Sequence, residues 1–175
     1  DGTDANGLYA AGKLTVSGDG RLDSYASKAE VSTNGLLTVN SGTISANGNM
    51  TGIYARGNMT VSGGNINAVS NTTEQGNTYN AGIYCSGRLT INAGTVYCSG
   101  KSQKYGGINS KMYTQIHGGN VTAEYKGTTV SASAINPFNM SGGTLSVNST
   151  ARGINNDFET TIITGGTVVI NADKE

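Results

Sequence analysis

Three tyrosines, Tyr9, Tyr54 and Tyr84, hold the same place in three copies of one pattern, Gly-[Leu/Ile]-Tyr-[Ala/Cys]-x-Gly-x-[Leu/Met]-Thr-[Val/Ile], at residues 7–16, 52–61 and 82–91. Each stands between an aliphatic and a small residue, so a strand that turns those two inward turns the ring outward. Flat aromatic faces suit the apolar faces of sugar rings. The nearby turn residues Lys13, Arg56, Arg88 and Lys111 can pair with carboxylates of an acidic polysaccharide. The same rings could equally stabilise a sheet face, since a cross-strand aromatic pair contributes up to about 1 kcal/mol without any ligand.

Catalytic chemistry finds less to work with. The single histidine, His117, has no Ser or Cys constellation beside it and reads as a satisfied surface residue. The 11 acidic residues gather towards the two ends of the chain, so no pair of carboxylates can be placed on one face for general acid and base work. Cys85 and Cys98 fall where neighbouring repeats carry Ala10, Ala55 and Ser110, or Ala46, Ala68 and Ala123. Both should point inward, as two buried thiols or as a disulfide across the core, and a lone Cys pair supplies too few ligands for a metal.

The elements that carry these residues follow from the spacing. Gly20, Gly42, Gly64, Gly94, Gly119, Gly143 and Gly166 each precede a polar and an aliphatic residue, at steps of 22, 22, 30, 25, 24 and 23. Such variable lengths suit a coil that bulges into loops at a corner, and seven coils are expected. Within each coil the apolar residues alternate, as in Leu14-Thr15-Val16-Ser17 and Leu89-Thr90-Ile91-Asn92. A period of two is a strand signal, and no window shows helical periodicity. Short strands repeated once per coil bury every aliphatic when each pairs with its copy above and below, as in a parallel β-helix. Stacking then superimposes the tyrosine slots, with Ser32, Asn109 and Asn155 filling the same slot in other coils. A second outward ladder is expected at Thr15, Thr38, Thr60, Thr90, Gln115, Asn139 and Thr161. The bulky Gln115 and His117 spoil the flat lattice that ice binding would need.

Composition agrees with an all-β reading. The chain has 27 Gly, one Pro, no Trp and two Phe in 175 residues, which suits a narrow prism filled by small aliphatics. Its 11 Lys and Arg balance 11 Asp and Glu, and no dense basic cluster exists, so nucleic acid is not an expected partner. No apolar stretch approaches 18 residues, so neither a signal peptide nor a membrane insertion is expected. Residues 1–175 read as one domain. It looks like a fragment of a larger protein, because neither end offers a convincing cap.

The segments 6–18, 52–64 and 82–94 together resemble the repeats of a family of bacterial carbohydrate-binding β-helix domains, found in secreted or surface proteins of cellulolytic and gut bacteria. Their fold is similar to that of pectate lyases. The resemblance implies a right-handed, three-faced β-helix, an extracellular or cell-surface setting, polysaccharide binding, and calcium in some members. Members that hold calcium resemble Asp-Gly-Ile at the start of a coil. Here the equivalent positions are Asn6, Thr51, Ala81, Gly106 and Arg152, which leaves only Asp1, Asp4 and Asn6 as an oxygen cluster, so no cofactor is expected to be required.

The expectation is therefore a non-catalytic polysaccharide-binding domain whose site comprises Tyr9, Tyr54, Tyr84, Lys13, Arg56, Arg88 and Lys111, with the glycan running along the rod. The longest insertion, residues 69–80, should overhang the strip and adds Glu74, Gln75 and Tyr79. The alternative is a stalk or adhesin segment with no glycan site of its own. In that case the coils project another domain and the tyrosine strip only stabilises the sheet.

Overall fold

The structure is a computed structural model that describes residues 6–73, 79–136, 138–155 and 160–173. Short alternating segments form strands that stack coil upon coil into three seven-stranded sheets. The first sheet contains β1 (Leu8–Ala10), β4 (Ala29–Thr33), β7 (Thr51–Ala55), β10 (Ile83–Cys85), β13 (Tyr105–Ser110), β16 (Ser133–Ile135) and β19 (Arg152–Ile154). The second contains β2 (Leu14–Val16), β5 (Leu37–Val39), β8 (Met59–Val61), β11 (Arg88–Ile91), β14 (Tyr113–Ile116), β17 (Phe138–Met140) and β20 (Ile162–Ile163). The third contains β3 (Arg21–Ser24), β6 (Thr43–Gly48), β9 (Asn65–Ser70), β12 (Thr95–Gly100), β15 (Asn120–Tyr125), β18 (Thr144–Ser149) and β21 (Thr167–Ala172). Neighbouring strands pair in parallel throughout. This is the expected three-faced β-solenoid.

Inward residues stack in columns because each strand repeats the register of the one below. One column runs Leu8, Val31, Ile53, Ile83, Ile108, Ile135, Ile154 along the first sheet. Another runs Leu22, Ile44, Ile66, Val96, Val121, Leu145, Val168 along the third. The columns meet in one core, which is fully enclosed in the middle coils.

The corner between the second and third sheets is made by glycines at positive φ, between 79° and 92°, a conformation that costs other residues a steric penalty. Stacking adds a second constraint. A Cβ on Gly94 would stand 2.6 Å from the carbonyl oxygen of Gly64 in the coil below. In the first coil the positive φ falls on Gly18 instead of Gly20, because one extra residue separates Val16 from Arg21.

Cys85 and Cys98 are free, buried thiols in the slots of Ala55 and Ala68, which decides between the two sequence readings. Cys85 donates to the Gly57 carbonyl at 3.2 Å. Burial pushes its thiol up to about 11 and that of Cys98 up as well, so neither is a nucleophile. The threonine ladder is corrected at its last rung, where Ile162 and not Thr161 lies beside Asn139.

Candidate functional site

The first sheet places the predicted tyrosines as expected: Tyr9 pairs with Ser32, Ser32 with Tyr54, Tyr54 with Tyr84, and Tyr84 with Asn109. Beyond Asn109 the slot continues as asparagine, with Asn136 Nδ2 donating to Asn109 Oδ1 at 2.8 Å. Tyr54 and Tyr84, on adjacent strands, stack with ring centroids 5.2 Å apart and planes 14° from parallel.

Tyr79, just before β10, then closes over this pair. Tyr79 sets its ring edge-on against both, at 5.6 Å and 80° to Tyr54 and at 4.9 Å and 88° to Tyr84. Thr51 Oγ1 fastens the loop by donating to the Tyr79 carbonyl at 2.6 Å. Lys111 lies 5.9 Å from the Tyr79 ring, and a hydrogen bond to Tyr84 holds its ammonium above the ordinary lysine range. The consequence corrects the expectation of a continuous aromatic strip. Tyr84 is 0% exposed, so its ring has no face left for a ligand.

The other end of the ladder is open. Tyr9 is 52% exposed and its hydroxyl accepts a hydrogen bond of 2.5 Å from Asn34 Nδ2. Between Tyr9 and Tyr54 lies the short, buried Ser32, and over it a cavity of about 290 Å³. Its walls are Tyr9, Tyr54 and Tyr79, with Ser32, Ala29 and Thr51 at the base. Asn6, Lys28, Asn34, Met50 and Arg56 complete the lining. Arg56 also holds its guanidinium 5.9 Å from the Tyr54 ring. The cavity thus combines aromatic walls, two cations and amide groups.

Of the residues singled out from sequence, Tyr9, Tyr54, Tyr79 and Arg56 meet at this cavity, and Tyr84 and Lys111 support it from behind. Arg88 is turned elsewhere: it opens β11 on the second sheet, with its guanidinium 4.6 Å from the Tyr113 ring. Lys13 is exposed at the corner between β1 and β2, outside the cavity lining. Glu74 and Gln75 lie outside the described residues, as do Asp1 and Asp4. Lys28 and Asn34 were missed, because nothing in the repeat marks the residues flanking β4. Ser32 was recognised only as an interruption, and it is the residue that makes the space.

Two polar groups elsewhere pair within themselves. On the third sheet the Tyr97 hydroxyl donates to Glu124 Oε2 at 2.5 Å, and Lys126 Nζ reaches both Glu124, at 2.5 Å, and the Tyr97 hydroxyl, at 2.8 Å. Partial burial opposes the charge on Glu124, but Lys126 and Tyr97 outweigh it and hold the carboxyl below its ordinary range. His117 Nδ1 meets Ser141 Oγ at 2.9 Å on an exposed surface. Among the described residues no three of His, Cys, Asp and Glu come together to hold a metal ion, and no helix is long and apolar enough to cross a membrane.

A family model described as a carbohydrate-binding domain-containing protein matches residues 1–175. No curated protein and no solved structure matches the chain.

Proposed function

The chain belongs to the carbohydrate-binding domain-containing family, and from that premise we propose that it is a non-catalytic polysaccharide-binding domain of a bacterial extracellular or cell-surface protein. The observation that carries this reading is the cavity on the first sheet, where Tyr9, Tyr54 and Tyr79 offer aromatic surface beside the cations Lys28 and Arg56. Aromatic walls supply the apolar contact that sugar rings use, and the fixed guanidinium plane of an arginine matches a carboxylate. The preferred partner is an acidic polysaccharide, bound without a cofactor.

Binding of the domain to a panel of neutral and acidic polysaccharides, with calcium and with a chelator, tests the proposal. Acidic chains should bind equally well in both conditions. Tyr9→Ala and Arg56→Ala, both at exposed positions, should each weaken binding by about five- to tenfold, the worth of one aromatic or charge-assisted contact.

One observation favours the second reading, a stalk or adhesin segment. The Tyr54, Tyr79 and Tyr84 rings pack on one another, which is what a purely structural aromatic cluster would do. Failure to bind any glycan on the panel would favour it.

A further inference from the structure

The tyrosine ladder has one missing rung, and the missing rung is where the cavity lies. Where two tyrosines occupy consecutive coils, as Tyr54 and Tyr84 do, their rings stack at 5.2 Å and leave no room between them. Tyr9 and Tyr54 are two coils apart, because Ser32 stands between them in register. Two strand spacings separate their backbones by roughly 9.6 Å. A six-membered sugar ring held at van der Waals distance from an aromatic surface on each side needs roughly 8 Å. The cavity of about 290 Å³ over Ser32, walled by both tyrosines, has the volume for one or two such rings and not for a long stretch of chain.

From this we infer that the site is an insertion slot in which one sugar ring of the bound glycan takes the place of the absent aromatic rung, and that the slot selects pyranoses whose two faces are both apolar. This deepens the proposed function and rests on it. Only a ring with all its substituents equatorial, the glucose configuration in β-linkage, directs C–H groups to both faces. An axial hydroxyl, as at C4 of the galactose configuration, points a polar group at one aromatic wall and leaves it unpartnered there. Arg56, on the rim beside Tyr54, places a cation where the C6 carboxylate of a glucuronate would emerge. The ligand class is therefore a β-linked glucuronate residue. A glycan lying flat along the rod is disfavoured, because Tyr79 and the buried Tyr84 block that path.

The decisive variant fills the slot with the protein's own ring. Ser32→Tyr restores the rung, in a position whose copies on β7 and β10 already carry tyrosine, so the coil can accept it. Ser32→Ala, which leaves the slot open, is the control for folding and for any contact of the hydroxyl. The probes are the methyl β-glycosides of glucuronate and galacturonate, which carry the same charge and differ only at C4, titrated against the domain by nuclear magnetic resonance. Native protein should bind the glucuronide about fivefold or more tighter than the galacturonide, Ser32→Ala should keep that preference while losing up to about threefold for the hydroxyl, and Ser32→Tyr should lose about tenfold or more of the glucuronide affinity while keeping its thermal midpoint. Equal affinity for the two epimers, no binding of either glycoside by a protein that binds a polysaccharide, or undiminished binding by folded Ser32→Tyr would overturn the slot and leave glycan binding standing. Binding to no polysaccharide at all would remove the proposed function itself.

Discussion

The two ends of the tyrosine ladder use one residue type for opposite purposes. At Tyr54 and Tyr84 consecutive coils bring the rings into contact, Tyr79 lies across them, and the innermost ring is lost to solvent. At Tyr9 a serine interposes, and half of the tyrosine surface stays exposed. Nothing in the local motif separates the two, since Gly-Leu-Tyr-Ala and Gly-Ile-Tyr-Cys are near copies. What separates them is the occupant of the next rung. In a solenoid the neighbour that decides a side chain's environment sits a whole coil away in sequence, so function can be written by one substitution in the adjacent repeat.

The sharpest way to break this comparison is to delete a ring from each end. Tyr84→Ala removes a fully buried aromatic and leaves a hole between Tyr54, Tyr79 and the Lys111 stem, so it should destabilise by about 3 kcal/mol or more. In a chain of this length that lowers the midpoint of thermal unfolding by roughly 10 °C. Tyr9→Ala, with half its surface already in water, should cost under about 1 kcal/mol and yet weaken sugar binding by about five- to tenfold. Similar stability losses in both variants, measured by calorimetry, would show that the ladder is one structural cluster from end to end. Tyr79→Ala comes next in size. It removes two edge-to-face contacts, for a loss of about 1 to 2 kcal/mol, and one wall of the cavity, for about threefold weaker binding of the same glucuronide probe.

Much of this architecture is legible in the residues, because each coil repeats a hydrophobic alternation and a corner glycine, and repetition fixes register. The pairing of Tyr9, Ser32, Tyr54 and Tyr84 follows from the repeat alone. What the alignment does not carry is depth. Tyr84 reads as outward from its place between Ile83 and Cys85, and it is outward from the core, but a loop ring some five residues upstream closes over it. Arg88 reads as a flank of the strip from its nearness in sequence, yet it opens a strand on a different sheet and stacks on Tyr113 from the next coil. Lys28 and Asn34 flank the first-sheet strand of the coil whose slot residue is serine, and no repeat signature draws attention to them. Periodicity reports which way a residue faces; loops and corners decide what it meets there.

The smallest expected effect uses the third sheet as a reference that shares no residue with the tyrosine cavity. Glu124 is held below its ordinary range in the folded chain by Lys126 and Tyr97, against the effect of burial. A carboxyl with a depressed folded value binds fewer protons than its unfolded counterpart in acid. Its contribution to stability is therefore fully present above the unfolded value, near pH 4.5, and is lost as pH falls through the folded one. Because Lys126 is more than half exposed, the contribution should stay under about 1 kcal/mol. Glu124→Gln should flatten that acid dependence of the unfolding midpoint and leave glucuronide binding at neutral pH unchanged, since the described residues lining the cavity include no carboxylate. If Glu124→Gln weakened the sugar complex as well, the two faces would be coupled through the coil stack, and recognition could no longer be assigned to the open end of the tyrosine ladder alone.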